Sequence, residues 1–190
     1  MNKRTTPRII AGTLKGFHLK SIPGKKTRPI TDRVKENLFN IIGNDILESS
    51  FLDAFAGTGS VGIEAYSRGA EFVQFIEKNK APYSVLSNNL ECIKDNDAYS
   101  IINADAFIFM NTLPSRSFDY IYIAPPQYHQ MWQIALKIID ENKDIVNSDG
   151  WIIVQIDPVE YESLQFKNFD EFDQRKYGNT LLVFFIMTTK

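Results

Sequence analysis

Three carboxylates, one glycine-rich turn and one proline pair are the groups in this chain whose spacing invites a chemical reading. The stretch FLDAFAGTGSVGIEA at 51–65 carries Gly57, Gly59 and Gly62 in the pattern G-x-G-x-x-G. Glycines at that spacing let backbone approach a nucleotide closely, between a strand and a helix N-terminus. Asp53 stands four residues before the first of them, Glu77 lies in FIEKN, and Asp105 lies in NADAF. Singly, each acid also reads as a helix N-cap or a first-turn charge. Three acids at successive strand ends instead line the crevice where open α/β sheets bind their ligands.

Two nucleotides compete for that crevice. Dinucleotide dehydrogenases carry an acid about 20 residues after the first glycine, and Glu77 stands 20 residues after Gly57. Against this, Asp53 would face a pyrophosphate, and no second domain remains to hold a hydride acceptor. S-adenosylmethionine has no phosphate and offers an amino group that a carboxylate attracts. The expected cofactor is therefore S-adenosylmethionine. Asp53 is assigned to its amino group, Glu77 to both ribose hydroxyls and Asp105 to the adenine amine, with a backbone N–H from Ala106. Phe55, Ala56, Gly57, Thr58, Gly59 and Lys78 complete the expected cofactor-binding set.

The run FDYIYI at 118–123 leads into Ala124, Pro125, Pro126, Gln127 and Tyr128, the candidate catalytic loop. In amino-methyltransferases the loop at this position resembles [D/N/S]-P-P-[Y/F/W]. An exocyclic nucleobase amine is a poor nucleophile, because its lone pair is delocalised into the ring. A polar side chain and a proline carbonyl accept its two hydrogens and aim the lone pair at the sulfonium methyl. The prolines stiffen the loop and the aromatic stacks on an extruded base. By itself a Pro-Pro pair after a strand also reads as plain chain termination.

The elements that must position these groups alternate. Apolar runs predict strands at 50–54, 72–76, 100–103, 118–123 and 151–156, and helices at 60–68, 79–93, 105–112 and 129–141. That rhythm specifies a parallel sheet covered on both faces. Segments near 168–176 and 180–188 flank Tyr177-Gly178-Asn179 and predict an antiparallel hairpin at the sheet edge. Upstream, residues 8–20 suit a small hairpin around Gly12 and Gly16. Thr31 or Asp32 then caps a helix with Val34, Leu38, Ile41 and Ile42 on one face.

Composition bounds the rest. The chain has 190 residues, 44% of them hydrophobic, which suits one domain with a sizeable core. One cysteine and two histidines exclude a disulfide framework and a Cys/His metal cluster. No run approaches a membrane span or a signal-peptide core, so a cytoplasmic protein is expected, with no metal and no membrane partner. The net charge of −2 hides an asymmetry: residues 1–35 hold ten of the 21 Lys and Arg and a single acid, Asp32. A basic arm on an acidic body is a common footprint of a nucleic-acid reader, and equally of a solvated terminus.

RIIAGTLKG at 8–16, TRPITDRVKENLFNII at 27–42, LDAFAGTGSVGIEAYSRGA at 52–70, FIEKN at 75–79, the Pro-Pro loop and YGNTLLVFF at 177–185 together resemble one family. It is the bacterial small-subunit ribosomal RNA guanine-N2 methyltransferases, the RsmD family, and the match runs nearly end to end. The resemblance implies a Rossmann-like class I methyltransferase with a mostly parallel seven-stranded sheet. It implies methyl transfer to N2 of the guanine at position 966 of 16S rRNA, in an assembling small ribosomal subunit. Residues 1–43 would form a basic extension of hairpin, loop and helix that contacts RNA and caps the cofactor, and 44–190 the methyltransferase domain. The basic residues of 1–35 would grip phosphates, with Arg8, Lys15, Lys25, Lys26, Arg28 and Arg33 as the RNA-binding set. The family carries Asp or Asn where this chain has Ala124, and an aromatic where it has Gln127. Either a neighbour such as Gln127 or Tyr128 substitutes, or the chain is a catalytically weakened relative that binds RNA and cofactor in ribosome assembly. A third reading is methylation of another amine, on a different nucleic acid or a protein.

Overall fold

The computed structural model describes residues 6–22, 30–112 and 117–188. Seven strands form one sheet: β1 (Ser50–Asp53), β2 (Phe72–Ile76), β3 (Tyr99–Ile102), β4 (Phe118–Ile123), β5 (Val146–Ile156), β6 (Phe169–Tyr177) and β7 (Thr180–Met187). Their order is β3-β2-β1-β4-β5-β7-β6. The first five strands pair in parallel, and β7 joins β5 and β6 antiparallel, as an edge hairpin requires. Five helices fill the crossovers and the N-terminal side: α1 (Asp32–Ile42), α2 (Ser60–Ser67), α3 (Lys80–Leu90), α4 (Ala106–Asn111) and α5 (Met131–Glu141).

Side-chain alternation along the strands builds two cores. Phe51, Val73, Phe75, Tyr120, Tyr122, Ile153 and Phe184 face one side, packed with Val34, Leu38, Ile63 and Leu86 of α1, α2 and α3. Their neighbours Leu52, Ile76, Ile121, Ile123, Ile152, Val154 and Phe185 face the other, against Met110 of α4 and Trp132, Leu136 and Ile139 of α5. A period of two that is apolar on both faces is what a sheet covered twice demands. α2 lies close on the sheet because Gly62 has no side chain: a Cβ there would sit 2.3 Å from the Phe75 ring.

One expected boundary is corrected. The strand expected at 151–156 begins at Val146. Asn147, Ser148, Asp149 and Gly150 read as turn residues, yet Val146 pairs with Phe118 before a register shift leads to the Tyr120–Trp151 pair. Asn147 stays in place by donating to Asp119 and accepting from the Ser117 hydroxyl. The small hairpin expected at 8–20 is present: Arg8 and His18 form an antiparallel bridge, Ile9 N–H donates to the Phe17 carbonyl, Gly16 N–H to that of Ile9 and Leu19 N–H to that of Pro7. Its tip is also tied to α2, where Thr13 N–H donates to the Ser67 carbonyl and Leu14 N–H to the Ser67 hydroxyl. Gly12, at φ +81°, passes so close to α2 that a Cβ would lie 1.6 Å from the Ser67 carbonyl oxygen. Ile9 and Leu19 of this segment are buried in the same core as α1 and Phe51.

Candidate functional site

Strand order reverses between β1 and β4, which are neighbours although β2 follows β1 in the chain. The carboxyl ends of two such strands diverge into a crevice. The glycine turn follows β1, and Ala124 follows β4. Glu77 directly follows β2, and Asp105 comes three residues after the end of β3. The fold thus brings the expected cofactor residues and the Pro-Pro loop to one edge of the sheet.

The glycine turn is held by the acids beneath it. Gly57 and Gly59 sit at φ +55° and +83°. Gly59 N–H donates to the Ala56 carbonyl at 2.7 Å, and Ala56 N–H to that of Ile76 at 2.9 Å. Glu77 accepts from Gly57 N–H at 3.0 Å through one carboxylate oxygen and from Asn79 N–H at 2.6 Å through the other. Asp53 accepts from Gly62 N–H at 3.1 Å. Both acids are buried, Asp53 with 2% and Glu77 with 8% of its surface exposed. Burial pushes the Asp53 carboxyl up to about 7; the Gly62 hydrogen bond opposes this and the nearby Glu77 charge adds to it. A desolvated carboxyl poised near neutrality is a receptor for a cation. Tyr122, whose phenol donates to the Gln155 amide oxygen at 2.6 Å, is pushed well above its ordinary value by burial and the charge of Asp53.

Asp105 caps α4 by accepting from Phe107 N–H at 2.9 Å, and its other oxygen pairs with Lys78 at 2.9 Å. The hydrogen bond from Lys78 is the main cause holding this carboxyl below the usual range. Phe55 meets Phe107 edge to face at 5.8 Å, so residues that follow β1 and β3 touch although β2 lies between those strands. Thr58 is anchored through its carbonyl, which accepts from Asn89 Nδ2 at 2.9 Å.

The loop after β4 is built differently. Ala124, Pro125 and Gln127 are half-buried and Pro126 is exposed, while Tyr128 exposes 65% of its surface at φ +68°. Tyr128 N–H donates to Glu160, and its hydroxyl lies 3.4 Å from Asp157. Asp157 and Glu160 form a capping box on the short 3-10 turn Pro158–Glu160 that follows β5.

Of the expected RNA-binding residues, Arg8, Lys15 and Arg33 are on the surface, Arg8 in an exposed ion pair with Asp32 at 2.8 Å. Lys25, Lys26 and Arg28 lie outside the described residues. Lys35, counted with the basic arm, does not belong to a phosphate-binding surface. It is 1% exposed and pairs at 3.2 Å with Glu64, which is fully buried. It also donates to the carbonyl of Arg8 and to Ser60. Burial lowers its ammonium from the ordinary value, and Glu64 offsets part of that. Glu64 in turn accepts from the backbone of Ile10 and Ala11 and from Arg68.

Sequence reasoning missed Asn89, the Lys35–Glu64 pair and the Asp157–Glu160 turn. Only the last carries a linear signal, Asp157-Pro158-Val159-Glu160, a capping-box pattern with proline at the first helical position.

A family model described as conserved hypothetical protein 95 matches residues 7–186. Ribosomal RNA small subunit methyltransferase D of Haemophilus influenzae is 36% identical over 143 residues, covering 74% of each chain. YlbH of Bacillus subtilis, described as a candidate rRNA methyltransferase, is 35% identical over 152 residues, covering 79% of this chain and 82% of the other. A solved Haemophilus influenzae structure, described as a candidate methylase, superimposes with a TM-score of 0.79 at 29% identity. That match covers 94% of this chain and 96% of the other.

Proposed function

The chain belongs to the conserved hypothetical protein 95 family, the RsmD family of rRNA methyltransferases, and on that premise we propose that it methylates the exocyclic N2 of a guanine in small-subunit rRNA with S-adenosylmethionine as donor. The observation that carries this reading is the meeting of a glycine turn braced by acids with a Pro-Pro loop across the β1–β4 switch point. The residues present fit the cofactor. A Cβ built on Gly57 would meet nothing within 4 Å, so open space lies over the turn. An ammonium beside buried Asp53 would favour its ionised form, whereas a pyrophosphate would be repelled by it.

When bound, S-adenosylmethionine supplies a methyl activated by its sulfonium. Asp53 holds the amino group of the methionine part, and Glu77, already hydrogen-bonded to Gly57, takes the ribose hydroxyls. Asp105 and Ala106 hold the adenine, with Phe55 and Lys78 beside them. On the other side of the crevice the Pro125 carbonyl and the Gln127 amide oxygen would accept hydrogen bonds from the two N–H groups of the guanine amine and so orient its lone pair. Tyr128 stacks on the extruded base. Arg8, Lys15 and Arg33, with Lys25, Lys26 and Arg28, hold phosphates of the surrounding RNA, and residues 1–43 act as the RNA-gripping extension. Guanine 966 of 16S rRNA in an assembling subunit, the target that the motif resemblance implies, is the substrate proposed on this reading.

The test is incorporation of labelled methyl into small subunits purified from cells lacking the gene, followed by mapping of the labelled nucleotide. Label on a guanine N2 supports the reading; label on another base or on a protein removes the substrate but keeps the transfer. Ala124 favours a second reading, because a methyl group cannot accept a hydrogen bond. On that reading the protein binds RNA and cofactor without transfer, and Ala124→Asn restores some incorporation to an inactive parent.

A further inference from the structure

Among the described residues three non-glycine residues have positive φ, and two of them, Tyr128 and Gln130, lie in the loop between β4 and α5. At positive φ a side chain crowds its own backbone, and such a conformation persists only where surrounding contacts impose it. Glu160 supplies the contact: Tyr128 N–H donates to one of its carboxylate oxygens at 2.5 Å. The other oxygen of Glu160 accepts, at 3.4 Å, from the backbone N–H of Asp157. Asp157 receives Val159 N–H at 3.1 Å on one oxygen and lies 3.4 Å from the Tyr128 hydroxyl on the other. Tyr128 is therefore tethered at its backbone and at the tip of its ring to one 3-10 turn, which belongs to the neighbouring strand.

We infer that Glu160, with Asp157, is a positioning residue for substrate: it imposes the left-handed conformation of Tyr128 and so fixes where the stacking ring stands at the crevice. The inference rests on the methyl-transfer reading above for the role of the ring, and not for the clamp itself. A carboxylate suits the task because a charged acceptor makes the stronger hydrogen bond to an N–H that must be held against crowding. The bland alternative is that Glu160 only closes the capping box of its own turn. The two differ in what Glu160 acts through, and a double-mutant cycle separates them.

The experiment compares methyl transfer to small subunits and backbone hydrogen exchange for the parent, Glu160→Ala, Glu160→Gln, Tyr128→Ala and the Glu160→Ala/Tyr128→Ala pair. Glu160→Ala is expected to lower kcat/KM for the subunit on the order of tenfold, with cofactor affinity unchanged. Glu160→Gln, which keeps an oxygen acceptor, is expected to recover most of that loss. In the Tyr128→Ala background Glu160→Ala is expected to cost less than about twofold more, because its target is already gone. Equal losses in both backgrounds, or a Glu160→Ala enzyme as efficient as the parent, would overturn the inference. Should Glu160→Ala not fold, the milder Tyr128→Phe carries the test by cutting only the tether to Asp157. A severalfold loss in kcat/KM supports the clamp and parent-like efficiency overturns it. If the parent transfers no methyl at all, the functional reading fails while the exchange arm still decides. Protection of the Tyr128 amide lost in Glu160→Ala but kept in Glu160→Gln supports the clamp, and protection unchanged in both overturns it.

Discussion

The glycine turn after β1 and the Pro-Pro loop after β4 lie at the same edge of the sheet, and they are held in opposite ways. The turn puts its positive φ angles on glycines, where they cost little, and ties its backbone to buried Glu77, Asp53 and Asn89. The loop puts positive φ on Tyr128 and Gln130, exposes the Tyr128 ring, and holds the Tyr128 backbone by Glu160. A small cofactor presents the same shape at every turnover, so its site gains from being built in advance. On the proposed reading an extruded base arrives at the loop, where the Tyr128 ring is already held by Glu160 and Asp157. On that reading glycine geometry on one side and an imposed positive φ on the other would divide the work between binding a donor and placing a substrate.

The comparison is broken most severely from beneath the turn. Lys35 reaches Ser60, the first residue of α2, while Glu64 neutralises it and receives the N-terminal segment. Glu64→Ala leaves the Lys35 ammonium buried with no carboxylate beside it, and breaking such a pair typically costs about 3–5 kcal/mol. The expected outcome is a large fall in thermal and urea midpoints, with loss of protection for residues 8–14. Replacing Lys35 and Glu64 together by Met and Leu should be milder, since no lone buried ammonium remains and the cost left is that of Arg68 and the Ile10 and Ala11 N–H groups losing Glu64.

Next in size is the charge at the strand end. Asp53 ends β1 and Glu77 directly follows β2. Both are buried and receive backbone N–H groups, so alanine there also strands a donor, at about 1–3 kcal/mol of stability. Asp53→Asn is the cleaner change: it keeps an acceptor for Gly62 and removes the charge. It should weaken S-adenosylmethionine binding by about 1.5–3 kcal/mol, read by calorimetry. In the parent, affinity should rise with pH through about 7 and binding should release a proton, because a bound ammonium favours the ionised carboxyl. Folding shows the opposite sign. A carboxyl raised to about 7 binds more protons folded than unfolded, so its contribution is complete below the ordinary carboxylate range and is lost as pH rises through 7. A proton release of zero in two buffers at pH 7 would remove Asp53 from the cofactor site.

On the loop the expected effect is smaller. Gln127→Ala should slow methyl incorporation about tenfold, which is about 1.4 kcal/mol of transition-state stabilisation. Ala124→Asn should raise the rate or leave it unchanged. A fully active Gln127→Ala enzyme would leave the Pro125 carbonyl as the acceptor acting alone.

These contrasts were unevenly written in the sequence. β2 and β4 begin and end where their apolar runs do, and the three acids announce themselves by following strands. Val146–Gly150 was hidden because Asn-Ser-Asp-Gly is turn chemistry that pairing with β4 overrides. The braces were hidden for a different reason. Asn89 meets Lys20 across 69 positions and Glu64 meets Ile10 across 54, distances at which no local period exists. Lys35 illustrates the hazard of counting charge: in sequence it is one more cation of a basic arm, and in the fold it is a buried bolt. The Asp157–Glu160 capping box can be read from four residues, but its grip on Tyr128, 32 positions earlier, comes from β4 and β5 being neighbours.

The smallest effect sharpens the comparison by asking whether the arm touches RNA without touching the cofactor. Lys15 and Arg33 are exposed. Neither enters an ion pair of 4.0 Å or less among the described residues, in contrast to Arg8 with Asp32. If they hold phosphates, each releases about one counterion on binding, and each reversal to Glu lowers the slope of log affinity against log salt by about 0.7–0.9. At physiological salt that is a modest loss of affinity for RNA of any sequence, and screening makes it vanish at high salt. Cofactor affinity should not move, because neither side chain takes part in the hydrogen bonds that hold the glycine turn. Filter binding of Lys15→Glu and Arg33→Glu to small-subunit RNA across a salt series, alongside calorimetry with the cofactor, reads both. A salt slope equal to that of the parent would make Lys15 and Arg33 merely solvated charges, and the RNA grip would then lie elsewhere in the protein.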